Sequence, residues 1–532
     1  MLDNVVFLII IVIIIMALVM IAEKLRVAYP ILLVVAGLLI SLYPGLPVIR
    51  VEPELIFLIF LPPLLFDAAW LTSWKNLWKF RRVVSVFAFL VVIVTSFVVA
   101  IISSYLIPGF DMALGFLLGA IVSPPDAVSA TSVLKYVKVP KSIAAIIEGE
   151  SLLNDASSLI IFRFAIIAVN TGKFVIGDAT LDFLWVIIMG IVTGVAIGMV
   201  YYIVQRWLPT TTEIDTVLTL TAPYVMYIVA EEFQFSGVLA VVSGGLYLSS
   251  RKHLFLSHRS RLSGANVWST LGFLLNGLVF MLIGLELPVI TQGLGNVGMS
   301  EAIGYSVIIT AVLIVTRIAC SMGASLFTIF ASRYIRTADS NPGWKGPLVF
   351  GWAGMRGVVS LAAALSIPLL TDAKEAFPQR HLILFITFVV ILLTLVVQGL
   401  TLPWLIKWLK ISETRKPLLT DGQQEEMVRK ELASKSLRYL RHTYDQKLLS
   451  SVAINTLIQK LEHDQLPQED PEMAEKKAFV EIYLDLLDKQ RLWLVVISRE
   501  SEVDEDLIRK QQGLLDLEEE KISVKFRNGQ VR

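Results

Sequence analysis

A bilayer-crossing helix needs about 20 mostly apolar residues, and the first 410 residues of this chain supply such runs one after another. Backbone polar groups in hydrocarbon must be satisfied within the segment, so runs of this kind fold as helices. The spans that meet the standard, some only with an interruption, are 3–22, 27–44, 53–71, 83–107, 111–134, 142–169, 181–205, 214–231, 235–250, 267–290, 300–331, 347–370 and 381–409. The first apolar run, Val5 to Ile21, lacks a basic leader and a small-residue cleavage site, so it reads as a retained helix. Charge is distributed to match. Of the 91 Lys, Arg, Asp and Glu residues, 44 fall between Ile411 and Arg532, leaving 47 for the 410 residues before them. The expected organisation is a transmembrane domain over 1–410 and a cytoplasmic tail over 411–532, in an all-α polytopic membrane protein.

Loop charge tests the span count independently, because cytoplasmic loops collect Lys and Arg. With the N-terminus outside, the inner loops carry Lys24, Arg26, Lys75, Lys79, Arg81, Arg82, Lys135, Lys138, Lys141, Arg206, Arg251, Lys252, Arg259, Arg261, Arg333, Arg336 and Lys345. The outer loops carry only Arg50, Lys173, Lys374 and Arg380, so the balance is seventeen against four. That alternation favours an odd number of spans, about thirteen, and a cytoplasmic C-terminus.

Several function classes drop out. The net charge is +1 and no basic cluster with interleaved aromatics appears, so nucleic acid is not an expected partner. One cysteine, Cys320, excludes an internal disulfide framework. The five histidines are scattered without metal-ligand spacing. No cofactor is expected.

Ionisable residues at membrane depth cost several kcal/mol unless they face a cavity or a partner, so each is a functional candidate. The set is Asp67, Asp126, Glu150, Asp155, Arg163, Arg317 and Arg356, with Glu148 near a helix start. The sixth span holds the densest group, Glu148-Gly-Glu150-Ser151-Leu-Leu-Asn154-Asp155. Ser151 and Asp155 are four apart and share a helix face, with Asn154 alongside. Asp155 lies near the middle of the span. Carboxylate, hydroxyl and amide oxygens together suit a hard cation. Desolvation of a carboxylate disfavours its charged form, so one such group can hold a proton and a cation in turn. The fifth span is interrupted by Ser123-Pro124-Pro125-Asp126, and the twelfth by Gly351-Trp-Ala-Gly354-Met-Arg356-Gly357. Prolines at membrane depth free backbone carbonyls, and two interrupted helices in corresponding positions of two halves point to a transporter's binding site. Asp67 follows Leu61-Pro62-Pro63-Leu-Leu-Phe66 near the inner end of the third span.

These residues resemble the sodium/proton exchanger family, in its bacterial NhaP-type branch. The resemblance rests on Leu-Pro-Pro-Leu-Leu-Phe-Asp67, Pro-Asp126-Ala-Val, Gly149-Glu-Ser-Leu-Leu-Asn154-Asp155 and Gly354-Met-Arg356-Gly357, which occur in family order across the apolar region. It implies exchange of one Na⁺ or Li⁺, sometimes K⁺, for one proton. It implies two inverted repeats with crossing interrupted helices, and a homodimer with a moving six-helix core. Carried over, Asp155 is the exchanging carboxylate and, with Ser151, binds the transported Na⁺. Asn154 and Asp67 complete or line the site, and Asp126 sits at the helix crossing. Glu150 is the structural partner of a membrane arginine, for which Arg317 and Arg356 both match. The glycine-rich break around Arg356 offers it carbonyls instead, which favours Arg317. Asn154 beside Asp155, in place of two aspartates, is what the family associates with electroneutrality. The sequence departs from the family at Ser-Pro-Pro-Asp126, where a Thr-Asp-Pro order is common. The resemblance assigns no role to Arg163 or Glu148.

From Ile411 the chain is helical in pattern, with apolar residues at helical spacing over Glu425 to Leu461 and Met473 to Ser498 and a loop over Gln465 to Pro471. A small regulatory or oligomerisation module is expected. Three other classes compete with this reading: a channel, a symporter for another solute, and an intramembrane aspartyl protease using Asp126 and Asp155. A channel needs a continuous polar path, whereas these carboxylates are few. The protease chemistry calls for a Gly-x-Gly-Asp signature, which is absent. A transporter, not an enzyme, is the expectation.

Overall fold

The computed structural model describes residues 2–42, 53–137, 139–172, 176–294, 297–331, 343–410, 421–443, 452–465, 482–490, 492–493, 511 and 514–522. Arg50, Lys138, Lys173, Arg333 and Arg336 lie outside them, as does the whole stretch 466–481. The chain divides into two compact units, Met1–Thr414 and Arg415–Arg532.

Helix is the only regular secondary structure among the first unit's described residues apart from one isolated bridge. Its elements are α1 (Leu2–Leu25), α2 (Tyr29–Ser41), α3 (Pro53–Leu71), α4 (Trp74–Leu106), α5 (Met112–Val122), α6 (Ala127–Leu134), α7 (Lys141–Thr171) and α8 (Ile176–Trp207). They continue as α9 (Thr212–Glu232), α10 (Gly237–Phe255), α11 (His258–Leu285), α12 (Leu287–Gln292), α13 (Met299–Ala331), α14 (Lys345–Trp352), α15 (Val358–Leu365) and α16 (Arg380–Leu409). Among the described residues, eight segments are long and apolar enough to cross a membrane by themselves: α1, α4, the α5–α6 stretch, α7, α8, α11, α13 and α16. The apolar helices α2 and α3 are shorter, and the α14–α15 stretch is interrupted. The chain is therefore a multi-pass, all-helical membrane protein.

Two helices begin well before the apolar runs do. α4 starts at Trp74, not near 83, and α11 at His258, not near 267. Ser73 and Ser257 cap them, their hydroxyls accepting from the backbone N–H of Asn76 and Ser260 at 3.4 and 3.1 Å. Lys75, Lys79, Arg81, Arg82, Arg259 and Arg261 thus stand on the first turns of helices and not in loops. Hydropathy marks where a helix enters hydrocarbon, whereas capping marks where it begins. The eleventh-helix region also stops sooner than 290: α11 ends at Leu285 and α12 begins at Leu287, with Pro288 in its first turn. α4 and α16 each contain a wider π-helical turn, at Val86–Val91 and Thr394–Gln398.

Packing puts α7 at the centre. Its Ile143, Ile147, Phe162 and Ala165 belong to the larger apolar core, shared with α5, α6 and α13 to α16. Its Leu152, Ala156 and Ile160 belong to a second core, built with α3, α9 and α10. A helix buried on both sides has no lipid-facing route for a charge, so Glu150 and Asp155 must be met by protein, water or an ion. By contrast, α8 exposes Leu184, Trp185, Ile188 and Val192, the pattern of a lipid-facing helix. α8 and α10 approach closely because Gly190 and Gly194 recur on one face and leave room for the α10 backbone at Ser236 and Ala240.

In the second unit, α17 (Asp421–Thr443) and α18 (Val452–Gln465) pack together, with Arg441 and Glu462 paired at 2.8 Å.

Candidate functional site

The two interrupted stretches meet. α5 ends at Val122, and Ser123-Pro124-Pro125 leads out of helix to Asp126, which caps α6. α14 ends at Trp352, and the chain crosses Ala353 to Gly357 before α15 begins. Asp126 donates its backbone N–H to the Met355 carbonyl at 2.7 Å, so one break is tied directly to the other. The Asp126 carboxylate accepts from Val128 N at 3.3 Å and Ser129 N at 3.0 Å, and from the Ser129 hydroxyl. It also lies against Gly357, where a Cβ would collide with it. Asp126 therefore sits at the N-termini of two half-helices, α6 and α15, whose unpaired N–H groups carry partial positive charge.

Arg356 does the complementary work at the helix ends of opposite polarity. Its Nε donates to the Val122 carbonyl at the C-terminus of α5, at 2.6 Å, and its Nη1 donates to the Gly354 carbonyl. Its backbone N–H is received by the Thr394 hydroxyl at 3.1 Å, beside the π-helical turn of α16. Broken helices expose four sets of unpaired backbone groups; one carboxylate and one guanidinium meet much of that demand.

α7 brings its polar face to this crossing. Ser151 Oγ accepts from Ala127 N at 3.0 Å, and Asn154 Nδ2 donates to the Pro125 carbonyl at 3.1 Å. That carbonyl needs a partner because the chain is out of helix at Pro125 and the Ser129 N–H, its donor in an unbroken helix, goes to the Asp126 carboxylate. Asn154 Oδ1 is buried without a donor. A serine hydroxyl that accepts one bond keeps a further lone pair for a ligand. Asp155 is 7% exposed, and its carboxylate has no hydrogen-bond or ion-pair partner among the described residues. Asp126 is close enough for the two carboxylates to feel each other's charge.

One turn earlier on α7, Glu150 faces Arg317 of α13. Arg317 Nη2 lies 2.8 and 2.9 Å from the two carboxylate oxygens, and the side chains are 1% and 3% exposed. Arg356 makes no ion pair with Glu150; the carbonyls already described hold it. Asp67, on α3, is half-buried with Oδ1 unpartnered, and Gly272 of α11 faces its other oxygen, leaving no room for a Cβ. No hydrogen bond joins Asp67 to the crossing among the described residues. Arg163 donates to the backbone and side chain of Gln234 in the turn between α9 and α10, and Glu148 is exposed.

Some polar groups here were missed by a reading confined to acids and arginines. Tyr29 interacts with the charge of Asp126, Ser96 and Ser123 hydrogen-bond at 3.0 Å, and Thr394 holds Arg356. Asp215 and Glu286 lie inside or at the end of apolar helices and belonged in the ionisable set on their positions alone. No three His, Cys, Asp or Glu residues converge as for a resident metal among the described residues.

The family model for the sodium/hydrogen exchanger transmembrane region matches residues 9–408. A sodium, potassium, lithium and rubidium/H⁺ antiporter of Bacillus pumilus is 33% identical over 388 residues, covering 71% of this chain and 57% of that protein's length. The low-affinity Na⁺/H⁺ antiporter NhaS1 of Synechocystis is 30% identical over 515 residues, covering 95% of this chain and 89% of its own. Among solved structures, the sodium proton antiporter MjNhaP1 of Methanocaldococcus jannaschii superposes with a TM-score of 0.60 at 19% identity, over 77% of this chain and 99% of that one.

Proposed function

Because the chain belongs to the sodium/hydrogen exchanger family, we propose that it exchanges a monovalent cation, Na⁺ or Li⁺ with K⁺ as a further candidate, for a proton across the cell membrane. The observation that carries the reading is Asp155: a buried carboxylate on a helix packed from both sides, with no donor to satisfy it among the described residues. Such a group has to be met by a proton or a cation. Ser151 Oγ and Asn154 Oδ1 are the neutral oxygens best placed on the same helix to complete a cation's shell, and both are steadied by the α5–α6 break. Asp67 lines the approach. Asp126 serves as the helix cap of the crossing; with its oxygens engaged by Val128 and Ser129, it is poorly available for a protease dyad.

Charge counting favours one-for-one exchange. Glu150 cancels Arg317, and the Asp126 oxygens are met by Val128 and Ser129, so at the crossing itself Asp155 is the carboxylate left to be neutralised by whichever ion is bound. In proteoliposomes, Na⁺ added outside is expected to enter in exchange for lumenal protons, so that the lumen alkalinises. Potentials of either sign, imposed with K⁺ and valinomycin, are expected to leave the rate unchanged. A clear voltage dependence would require a second proton-carrying group; absence of Na⁺-driven proton flux would overturn antiport itself.

The excess of inner-loop lysine and arginine supports an external N-terminus and a cytoplasmic tail. The tail reads as a regulatory or assembly module of a homodimer, because every membrane carboxylate named above lies upstream of it. Truncation after Lys410 is expected to preserve exchange while altering its pH response or the oligomer seen by size-exclusion chromatography. Loss of all flux from a correctly inserted truncate would make the tail part of the transport unit.

A further inference from the structure

Beyond the crossing, a narrow cavity runs along α15. Phe60 of α3, Leu282 of α11, and Val358, Leu361 and Leu365 of α15 line it, together with Glu286 at the C-terminal end of α11. Glu286 is the one polar side chain in that lining. Its carboxylate makes no hydrogen bond or ion pair among the described residues. The cation whose charge reaches it, Arg380, is committed elsewhere: Arg380 donates to the Ile367 carbonyl at 2.9 Å and the Leu365 carbonyl at 3.3 Å, at the C-terminus of α15. A carboxylate set among apolar groups is costly unless water or a cation satisfies it.

The placement of the cavity gives that carboxylate a use. Its inner end, Val358, directly follows Gly357, against which the Asp126 carboxylate lies. Its outer end, Leu365, is seven residues further, roughly 10 Å along the helix at 1.5 Å per residue. The cavity holds about 10 Å³, room for a single water, and its lining on α15 extends from Val358 beside the crossing to Leu365, with Glu286 on its wall.

We propose that Glu286 is a docking residue for the monovalent cation on the outward path, which runs along α15 between the external medium and Asp155. This rests on the antiport reading and on the external N-terminus proposed above. A single negative group in an apolar throat raises the local concentration of a small cation without holding it tightly.

The test compares the two faces of the membrane. In right-side-out and everted vesicles, Glu286→Gln is expected to raise the KM for Na⁺ at the outer face roughly three- to tenfold. The inner-face KM and the maximal rate should stay as in the parent, and Glu286→Asp should retain most of the outer-face affinity. An unchanged outer KM, an equal rise on both faces, or a fall in maximal rate alone would each overturn the role. An independent arm uses Leu361→Cys in a Cys320→Ser background. A membrane-impermeant thiol reagent applied outside during turnover is expected to label it, more slowly in Na⁺. Absence of labelling from outside would remove the path. If the parent protein shows no Na⁺-driven proton flux, the antiport reading fails and this inference with it; a parent that exchanges, with Glu286→Gln indistinguishable on both faces, removes only the role of Glu286.

Discussion

Asp155→Asn is expected to reduce Na⁺-driven proton flux to that of empty vesicles while leaving insertion, yield and thermal stability close to the parent. The substitution preserves shape. It removes no hydrogen bond, since the Asp155 carboxylate has no protein partner among the described residues, and it removes a buried negative charge that only an ion can satisfy. Folding therefore has little to lose. Transport loses everything, because an amide can neither carry the proton nor balance the cation. Asn154→Asp is the informative companion: it adds a second titratable group beside the first, where Asn154 now holds the Pro125 carbonyl. Substantial flux through a well-folded Asp155→Asn protein would move the exchange chemistry to another carboxylate.

Glu150 and Arg317 carry the second large effect, on stability. Removing one partner of a buried ion pair typically costs about 3–5 kcal/mol, whereas replacing both can be nearly neutral. Glu150→Gln and Arg317→Gln should each lower the melting temperature in detergent sharply, and the double substitution should recover more than half of the loss. Arg356→Gln should not rescue Glu150→Gln, because Arg356 is held by the Val122 and Gly354 carbonyls. Recovery with Arg356 in place of Arg317, read in the same melting assay, would mean that the pairing differs from the one described.

Much of this organisation could be read from residues in order. Apolar runs locate the slab of chain that lies in hydrocarbon, and Ser123-Pro-Pro-Asp126 and Gly354-Met-Arg356-Gly357 announce two places where helices cannot continue. What hydropathy cannot carry is the aqueous start of a helix. The first turns of α4 and α11 are charged, and their beginnings are fixed by Ser73 and Ser257 through local hydrogen bonds. Nor does residue type reveal how a polar side chain is engaged. Ser151 and Asn154 look like free ligands in the sequence, yet each already holds a backbone group of the α5–α6 break, and that contact spans 24 or 29 residues. The π-helical turns were invisible for a similar reason: at Thr394–Gln398 the wider turn accompanies the hydroxyl that receives Arg356 N–H, a contact made across 38 residues. Glu286 was overlooked for a simpler cause, since a carboxylate at a helix end reads as an interface residue until the wall opposite it is known.

The hydrogen bond from Asp126 to Met355 fixes one further property, which concerns ancestry and engineering. The two interruptions come from distant stretches of the chain, yet each terminates on the backbone of the other. A one-residue deletion in either loop would shift the register between the two breaks, carrying Asp126 off Met355 or Arg356 off Val122. Neither half can change length at its break by itself. Chimeras with relatives should therefore succeed only when both interruptions travel as a single block, and an inserted or lost residue in one should survive only beside a matching change in the other.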